Sequence, residues 1–199
     1  MPHMATTDKL LLAFQHFDAA NIEDPNTEDH QGRTYPKEVL YGIRMTERLN
    51  KFDSNASEAL RLTARCQHIR RWEIPRESYD MNREGYLRWR QELKKFHADK
   101  ATEILTNIGY DNEVIIKVRF LLEKKQLKKN RDTQTLEDVI CLVFLEYYFE
   151  PFAQKHAEDK TIDILQKTWR KMSDKGQEAA LKLPLSENAV RLVTKAIST

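Results

Sequence analysis

Apolar residues recur along most of this chain at intervals of three and four, the spacing that places them on one face of an α-helix. Proline, glycine and short polar side chains interrupt the pattern where such helices would begin and end. The pattern therefore predicts a series of helices, over about residues 7–20, 36–52, 55–71, 82–108, 111–128, 135–155, 159–173 and 186–197.

The sixth of these helices is apolar on almost every side between Val139 and Phe149. Such a helix is typical of the centre of a helical bundle. Outside a β-branched cluster at residues 114–118 no segment shows a strand pattern, and the polar stretch 21–36 is expected to be a loop. The predicted fold class is all-α: a bundle of about eight helices in a single domain, residues 1–199, with residues 157–199 as a C-terminal helical extension packed on it.

The composition is that of a globular chain, since 40% of its 199 residues are apolar and 32% are charged. The formal net charge of +2 is too small to indicate nucleic-acid binding by overall attraction. The charge is unevenly spread, however: residues 65–95 hold nine basic and five acidic side chains, and residues 1–60 hold six basic and ten acidic ones. The positive charge is therefore concentrated around the stretch QHIRRWEIPR, residues 67–76.

The cysteines and the length of the apolar runs bear on the cellular location of the protein. Cys66 and Cys141 lie inside apolar helical patterns and are expected to be reduced core thiols, which suits a reducing compartment. No signal-peptide pattern is present, and the longest apolar run, VICLVFL, is too short to span a bilayer. We therefore expect a cytoplasmic protein with no membrane partner. The leading Met-Pro-His-Met, residues 1–4, resembles an expression-vector scar.

Two histidines and two acids project from the apolar faces of three predicted helices. His97 and His68 share faces with core positions, and Asp138 and Glu146 lie inside the apolar pattern of the sixth helix. Side chains on facing helices build metal sites in bundle interiors, because a buried carboxylate is unfavourable unless paired or coordinated. The alternative interpretation is a core in which each histidine bonds a backbone carbonyl and the acids pair with arginines, such as Arg44, Arg61 or Arg65.

A basic, aromatic-rich segment surrounds Pro75. Arginine binds phosphate or carboxylate with two parallel hydrogen bonds, and the interleaved aromatic rings could stack on an organic group. The alternative is a solvated basic face whose aromatic residues pack the loop. We expect a binding site for an anionic ligand, formed by Arg70, Arg71, Trp72, Arg76, Tyr86, Trp89, Arg90 and Lys94.

The acidic stretch FDAANIEDPN, which includes Asn21, Asp24 and Pro25, offers oxygen ligands. It lacks the alternation and the bidentate Glu of a calcium loop. Helix capping by Asn21 and a turn at Asp24–Pro25 explain it adequately, although the loop could form one wall of the pocket.

Five segments, FDAAN, QHIRRWEIPR, YLRWR, LEDVICLVFLEYYF and KTWRKM, resemble the recurring segments of a bacterial and fungal family known only as a domain of unknown function. The resemblance covers essentially the whole chain. It implies no established activity.

The stretches LTARCQHIRR, FHADKATEILTNIGYDNEVIIKVRFLLEKKQ and TLEDVICLVFLE resemble, more distantly, the HD superfamily of helical metal-dependent phosphohydrolases. This resemblance implies an HD-like bundle. Tyr41 stands where those proteins carry their first His, Gln67 and His68 replace the His-Asp doublet, and Ile140 stands at the final Asp. Only His97 matches a family metal position directly, so either the ligand set has been rebuilt or the metal has been lost and the pocket kept.

The leading functional hypothesis is hydrolysis or transfer at a phosphate-containing, nucleotide-like small molecule. His68, His97 and Asp138 would hold a divalent metal (Mn, Fe, Co, Ni or Zn) whose bound water is the nucleophile, with Glu146 or Glu137 orienting that water. The basic segment would neutralise the developing phosphate charge.

A second hypothesis, from another class, is a catalytically inactive HD-like module that recognises an anionic ligand or, less favoured, RNA. A third is an oxidative di-iron enzyme on the same scaffold.

Overall fold

The computed structural model describes residues 6–198, which are mostly helical. Among them, no helix combines the length and the apolar character that crossing a membrane requires. Residues 1–4 lie outside the described part of the chain. The helices are α1 (Thr6–Asn21), α2 (Lys37–Phe52), α3 (Glu58–Cys66), α4 (Arg83–Ile108), α5 (Asn112–Leu122), α6 (Arg131–Val143), α7 (Phe149–Gln154), α8 (Glu158–Lys171), α9 (Asp174–Ala180) and α10 (Glu187–Ile197).

A small antiparallel hairpin, β1 (Thr27–His30) and β2 (Arg33–Pro36), stands where the hydrophobic pattern predicts only a loop. Gln31 and Gly32 both have positive φ, 51° and 75°, as the two-residue turn of such a hairpin requires. The strands are polar and their edges exposed, so an apolar/polar alternation could not reveal them. Residues 114–118, where a strand was conceivable, lie within α5.

Two predicted helices end earlier than their patterns suggest. The third ends at Cys66, and Arg70 then adopts a left-handed conformation with φ 49°, followed by short 3-10 turns at Arg71–Glu73 and Arg76–Ser78. The fifth ends at Leu122. A residue with positive φ interrupts a helix, and a sequence pattern does not reveal where it falls.

The predicted helix 135–155 begins earlier and is not uniform. The side chain of Asn130 accepts a hydrogen bond from the Thr133 amide at the start of α6. Between α6 and α7 the segment Phe144–Tyr148 forms a π-helical turn. Val139, Leu142 and Phe149 are fully buried here, which confirms that this segment is central to its core.

Residue contacts divide the chain into two compact units. The first comprises the residues up to 47 together with 55–125, and its fully buried side chains include Phe17 and Leu62. The second comprises residues 48–54 together with those from 126 onwards, and its core contains Leu142, Phe149 and Leu192. The prediction of a single domain with an extension over residues 157–199 stays a prediction.

Within the first unit, α2 and α3 approach closely at Gly42. A Cβ atom added to Gly42 would lie 2.7 Å from the Arg65 carbonyl oxygen, which is backbone and cannot turn away. We therefore expect Gly42→Ala to lower the free energy of unfolding by about 2 kcal/mol, outweighing the gain in helix propensity. Urea denaturation measures this. Glu47→Ala, at an exposed position on α2, is the control, and an equal effect of the two changes would contradict the prediction.

Candidate functional site

The predicted site residues fall in both units. Glu137, Asp138 and Glu146 belong to the second unit. The first unit contains the others, His68, His97, Arg70, Arg71, Trp72, Arg76, Tyr86, Trp89, Arg90 and Lys94.

The FDAAN stretch fixes the backbone around the first unit's histidines. The Asn21 side-chain oxygen accepts from the Arg70 amide at 2.8 Å, and its amide group donates to the Glu38 carbonyl at 3.4 Å. One oxygen of Asp24 accepts from the Glu38 amide at 3.1 Å, and the other accepts from Asn26. The loop therefore holds the backbone at Arg70 and Glu38, two residues of this region, and its explanation by a helix cap and a turn stays a prediction.

A hydrogen-bonded chain of Glu38, His68 and Arg71 lies at the centre of this region. Oε2 of Glu38 is 3.2 Å from Nδ1 of His68, and Nη1 of Arg71 is 2.8 Å from Nε2 of the same ring. The Tyr41 ring stacks on the imidazole, with the centroids 3.9 Å apart and the planes 9° from parallel. The imidazole is thus held on its two nitrogens and on one face.

The electrostatic environment of these three hydrogen-bonded residues is strongly cationic. Burial, followed by the charges of Arg71, Arg90, Lys124 and Lys37, holds the pKa of His68 well below its usual range. His68 is therefore neutral at physiological pH. Burial also raises the pKa of Glu38, against the opposing charges of Arg71 and Lys37.

Arg71 itself is partly buried and is held over an aromatic ring. Its guanidinium carbon lies 5.1 Å from the ring centroid of Trp89, whose indole N–H donates to the Ile74 carbonyl at 2.9 Å. Burial lowers the pKa of Arg71, and the nearby charge of Arg90 acts in the same direction. The negative charge of Glu38 opposes this lowering but does not outweigh the effect of burial.

The neighbouring arginines of the predicted site are used by the fold. Arg70 pairs with Glu23 and Glu73 and lies over the Trp72 ring. Arg76 donates to the carbonyl oxygens of Tyr79, Asp80 and Asn82. Both guanidinium groups therefore hold the loop, and a ligand-binding role for Arg70 and Arg76 stays a prediction.

The aromatic residues and Lys94 differ in accessibility. Trp89 is 7% exposed, with Arg71 against it, so its ring is not open to a ligand. Tyr86 is 46% exposed and lies 5.9 Å from Trp89, which makes it the ring best placed to meet an organic group. Lys94 is partly buried on α4.

His97 is buried, and its Nδ1 lies 2.8 Å from the Ile69 carbonyl oxygen. That nitrogen therefore carries the proton and donates. Burial, reinforced by His68, lowers the pKa of His97 from its usual 6.5 to about 3. The contact is the one expected of a core histidine, although it leaves Nε2 as an acceptor.

A pH dependence of stability follows from the pKa of His97. Below pH 6.5 the His97 side chain binds a proton in the unfolded chain but not in the folded one. Stability is therefore lost as the pH falls from about 6.5 towards about 3. His97→Gln, which can still donate to the carbonyl, is expected to reduce this slope by ~1.4 kcal/mol per pH unit. Urea denaturation at several pH values measures it, with His16→Gln, an exposed change, as control. An unchanged slope would contradict the prediction.

In the second unit the predicted acids have protein partners. Asp138 accepts from the Ser173 amide and hydroxyl, at 2.8 and 2.6 Å, and from Gln134 at 3.0 Å. Glu146 pairs with Arg48. Glu137 is buried, 3.8 Å from the Lys171 ammonium group.

Across residues 6–198, no group of three or more His, Cys, Asp or Glu side chains is arranged to hold a metal ion. The arginines proposed as partners of the acids are engaged in the first unit instead. Arg65 pairs with Asp18 and Arg44 with Glu28. The ligand set of His68, His97 and Asp138 stays a prediction.

A surface depression of about 600 Å³ lies beside the basic segment, at the N-terminal end of α4. It is lined by Glu73, Asp80 and Glu92, with Arg88 as its basic residue. Three carboxylates against one guanidinium do not suit an anion. The depression is therefore separate in character from the Arg71 region.

Sequence reasoning missed Glu38, Tyr41 as a stacking partner, Lys37 and Lys124. The sequence could have indicated that Glu38 and Tyr41 act together, since they are three residues apart and share a face of α2. The pairing of Glu38 with a histidine thirty positions later in the chain could not be read from spacing.

A family model described as "Domain of unknown function (DUF4202)" matches residues 12–193, and the chain belongs to this family. No curated protein and no solved structure matches the chain.

Proposed function

We propose that the first unit binds a small oxyanion, a compound with a phosphate or carboxylate group, through Arg71 and Arg90 beside His68. The observation that carries this is the missing acidic partner. Among residues 6–198, no carboxylate lies within ion-pair distance of either guanidinium. Arg71 donates to a neutral imidazole instead.

Several other partly buried arginines have a carboxylate, whereas Arg76 is satisfied by backbone carbonyl oxygens. Arg65 pairs with Asp18, Arg48 with Glu146, and Arg70 with Glu23. Removing a cation from water is unfavourable unless an opposite charge compensates it. Two neighbouring guanidinium groups with only Glu38 nearby leave an excess of positive charge, which an external oxyanion would neutralise.

A small ligand is favoured over RNA. The two arginines of the proposed site, Arg71 and Arg90, are partly buried, and the formal net charge of the whole chain is only +2. A nucleic acid needs an extended basic surface that contacts several phosphates at once. The exposed ring of Tyr86 would meet the organic part of the ligand.

Titration calorimetry with inorganic phosphate, pyrophosphate and citrate at low ionic strength tests the proposal. We expect measurable binding and a change in tryptophan fluorescence, because Arg71 lies against Trp89. Arg90→Gln should weaken phosphate binding by about tenfold. Arg83→Gln, an exposed charge removal on the same helix, is the matched control.

Absence of binding for all three anions would refute the proposal, as would an equal loss in Arg83→Gln. Tight binding of a short single-stranded RNA, with a steep dependence on salt, would replace it with the RNA-binding alternative.

A second candidate is the HD-like, metal-dependent phosphohydrolase. The observation that favours it is that Nδ1 of His68 faces the Glu38 carboxylate and Nδ1 of His97 faces the Ile69 carbonyl. Metal-binding histidines are oriented in this way by acceptors on their other nitrogen. The ring centroids are 6.0 Å apart. Such a metal would lower the pKa of bound water and supply the nucleophile.

This candidate ranks second because Arg71 donates to Nε2 of His68, the atom that a metal would need. Elemental analysis of protein purified without chelators tests it. Near-stoichiometric Mn, Fe, Co, Ni or Zn that disappears in His97→Gln would place it first. A metal-free protein that takes up no added metal would remove it.

A further inference from the structure

We infer that His68, held by Glu38, is the positioning residue of the anion site: it fixes Arg71 so that the Nε–Nη2 edge of the guanidinium receives two oxygen atoms of one ligand group. This inference rests on the proposed function. It adds how the ligand group is held, by two of its oxygen atoms side by side, and excludes monatomic anions as good ligands.

The first step concerns the proton of His68. A guanidinium has only donors, so Nε2 of His68, 2.8 Å from Nη1 of Arg71, must be an acceptor. The single proton of the neutral ring is therefore on Nδ1, which faces the Glu38 carboxylate at 3.2 Å. Glu38 thus selects the tautomer that can hold Arg71.

The second step concerns the rigidity of the imidazole. Tyr41 covers one face of the ring in a near-parallel stack. The Glu38 backbone is tied on both sides, its amide to Asp24 and its carbonyl to Asn21. Because the acceptor nitrogen is fixed in place, the guanidinium end that bonds to it is fixed as well.

The third step concerns the remaining donors of Arg71. Its face lies on Trp89 and its Nη1 is taken by His68, whereas Nε and Nη2 have no hydrogen-bond partner among the described residues. Neither atom is among the described side-chain atoms that are both buried and without a hydrogen-bond partner. Solvent therefore reaches both atoms. An open edge with two parallel donors is left.

The same chain shows what such an edge binds. Nε and Nη2 of Arg65 donate to the two carboxylate oxygens of Asp18, with the Nε contact at 2.8 Å. This two-pronged geometry suits carboxylate and phosphate and cannot be reproduced by lysine. Arg71 presents the equivalent edge, and no acid among the described residues fills it.

The test compares phosphate affinity in His68→Phe and His68→Gln by titration calorimetry. Phe keeps an aromatic ring against Tyr41 but cannot accept from Arg71, and we expect about a tenfold loss of affinity. Gln places an amide oxygen near the former Nε2 and should restore most of the binding. A purely structural role would not produce this rescue.

Nitrogen NMR of the wild-type imidazole provides a second measurement that needs no variant. It should show the Nδ1–H tautomer of His68, because Arg71 can only donate to Nε2 and Glu38 accepts at Nδ1. Competition with iodide should displace phosphate poorly, since a monatomic anion cannot use both donors of the edge.

The outcomes separate the two claims. Wild-type protein that binds no phosphate, pyrophosphate or citrate refutes the proposed function. Wild-type protein that binds phosphate, while His68→Phe binds it equally well or the Nε2–H tautomer predominates, leaves the anion site standing and overturns the positioning role of His68.

Discussion

Replacing Arg71 with Gln is expected to weaken the binding of inorganic phosphate by about a hundredfold, ~2.7 kcal/mol. The change removes the charge and the two-donor edge together, and hydrogen bonds to charged groups are among the strongest single contributions in a binding site. Arg71→Lys, which keeps the charge without the edge, should fall between wild type and Arg71→Gln. Titration calorimetry measures both.

The stability of the Arg71 variants serves as the internal control. Arg71 is partly buried, and no acid among the described residues lies within ion-pair distance of it, so Arg71→Gln should leave the urea midpoint unchanged or raise it slightly. Loss of binding with a retained midpoint assigns the effect to the ligand contact. A hundredfold loss accompanied by an unfolded protein would assign it to the fold, and unaltered binding would rule out Arg71 as the anion contact.

Asp138→Ala is expected to lower the free energy of unfolding by about 3 kcal/mol. Asp138 is 2% exposed and accepts from Ser173 twice and from Gln134, so its loss leaves donors without a partner. The hydroxyl of Ser173 also accepts from the Gly176 amide at the start of α9. A Cβ at Gly176 would lie 2.6 Å from an Asp138 oxygen, which shows how tightly the carboxylate is enclosed.

Urea denaturation and metal analysis together distinguish the two roles of Asp138. As a structural acceptor, it should affect stability and leave any metal content unchanged. Asp163→Ala, which breaks an exposed pair with Lys167 on α8, is the control and should change stability by less than about 0.5 kcal/mol. If Asp138→Ala were as stable as wild type and lost a bound metal, the ligand role predicted from the sequence would be right.

The helical character of the chain was predictable because amphipathic spacing is a local property. The burial of His97 and of the segment around Leu142 follows from the same periodicity. The hairpin at residues 27–36 was not predictable, since its strands are polar and short. The left-handed backbone of Arg70, four residues beyond the end of α3, is a conformation that its residue type does not reveal.

The candidate site was only partly predictable, for a different reason. The sequence shows that Arg71 and His68 are neighbours, but not which arginines already have a carboxylate. Arg70 does, through Glu23 and Glu73, and Arg71 does not within the described chain. The Arg70–Glu23 pair joins residues 47 positions apart and the Glu38–His68 contact residues 30 apart, so neither is visible in the local sequence. Residue type identifies side chains that could bind a ligand. Which of them are available depends on whether another residue of the protein already pairs with them.

The left-handed Arg70 has a kinetic consequence for the segment that it precedes. Its amide is held by Asn21 and its side chain by Glu23 and Glu73, so the backbone leading into Arg71 is locked on both sides before any ligand arrives. Association with such a loop requires no ordering step. Phosphate should therefore bind in a single kinetic phase whose observed rate rises linearly with phosphate concentration. Asn21→Ala, which removes the hydrogen bond to the Arg70 amide, should introduce a slower phase whose rate saturates.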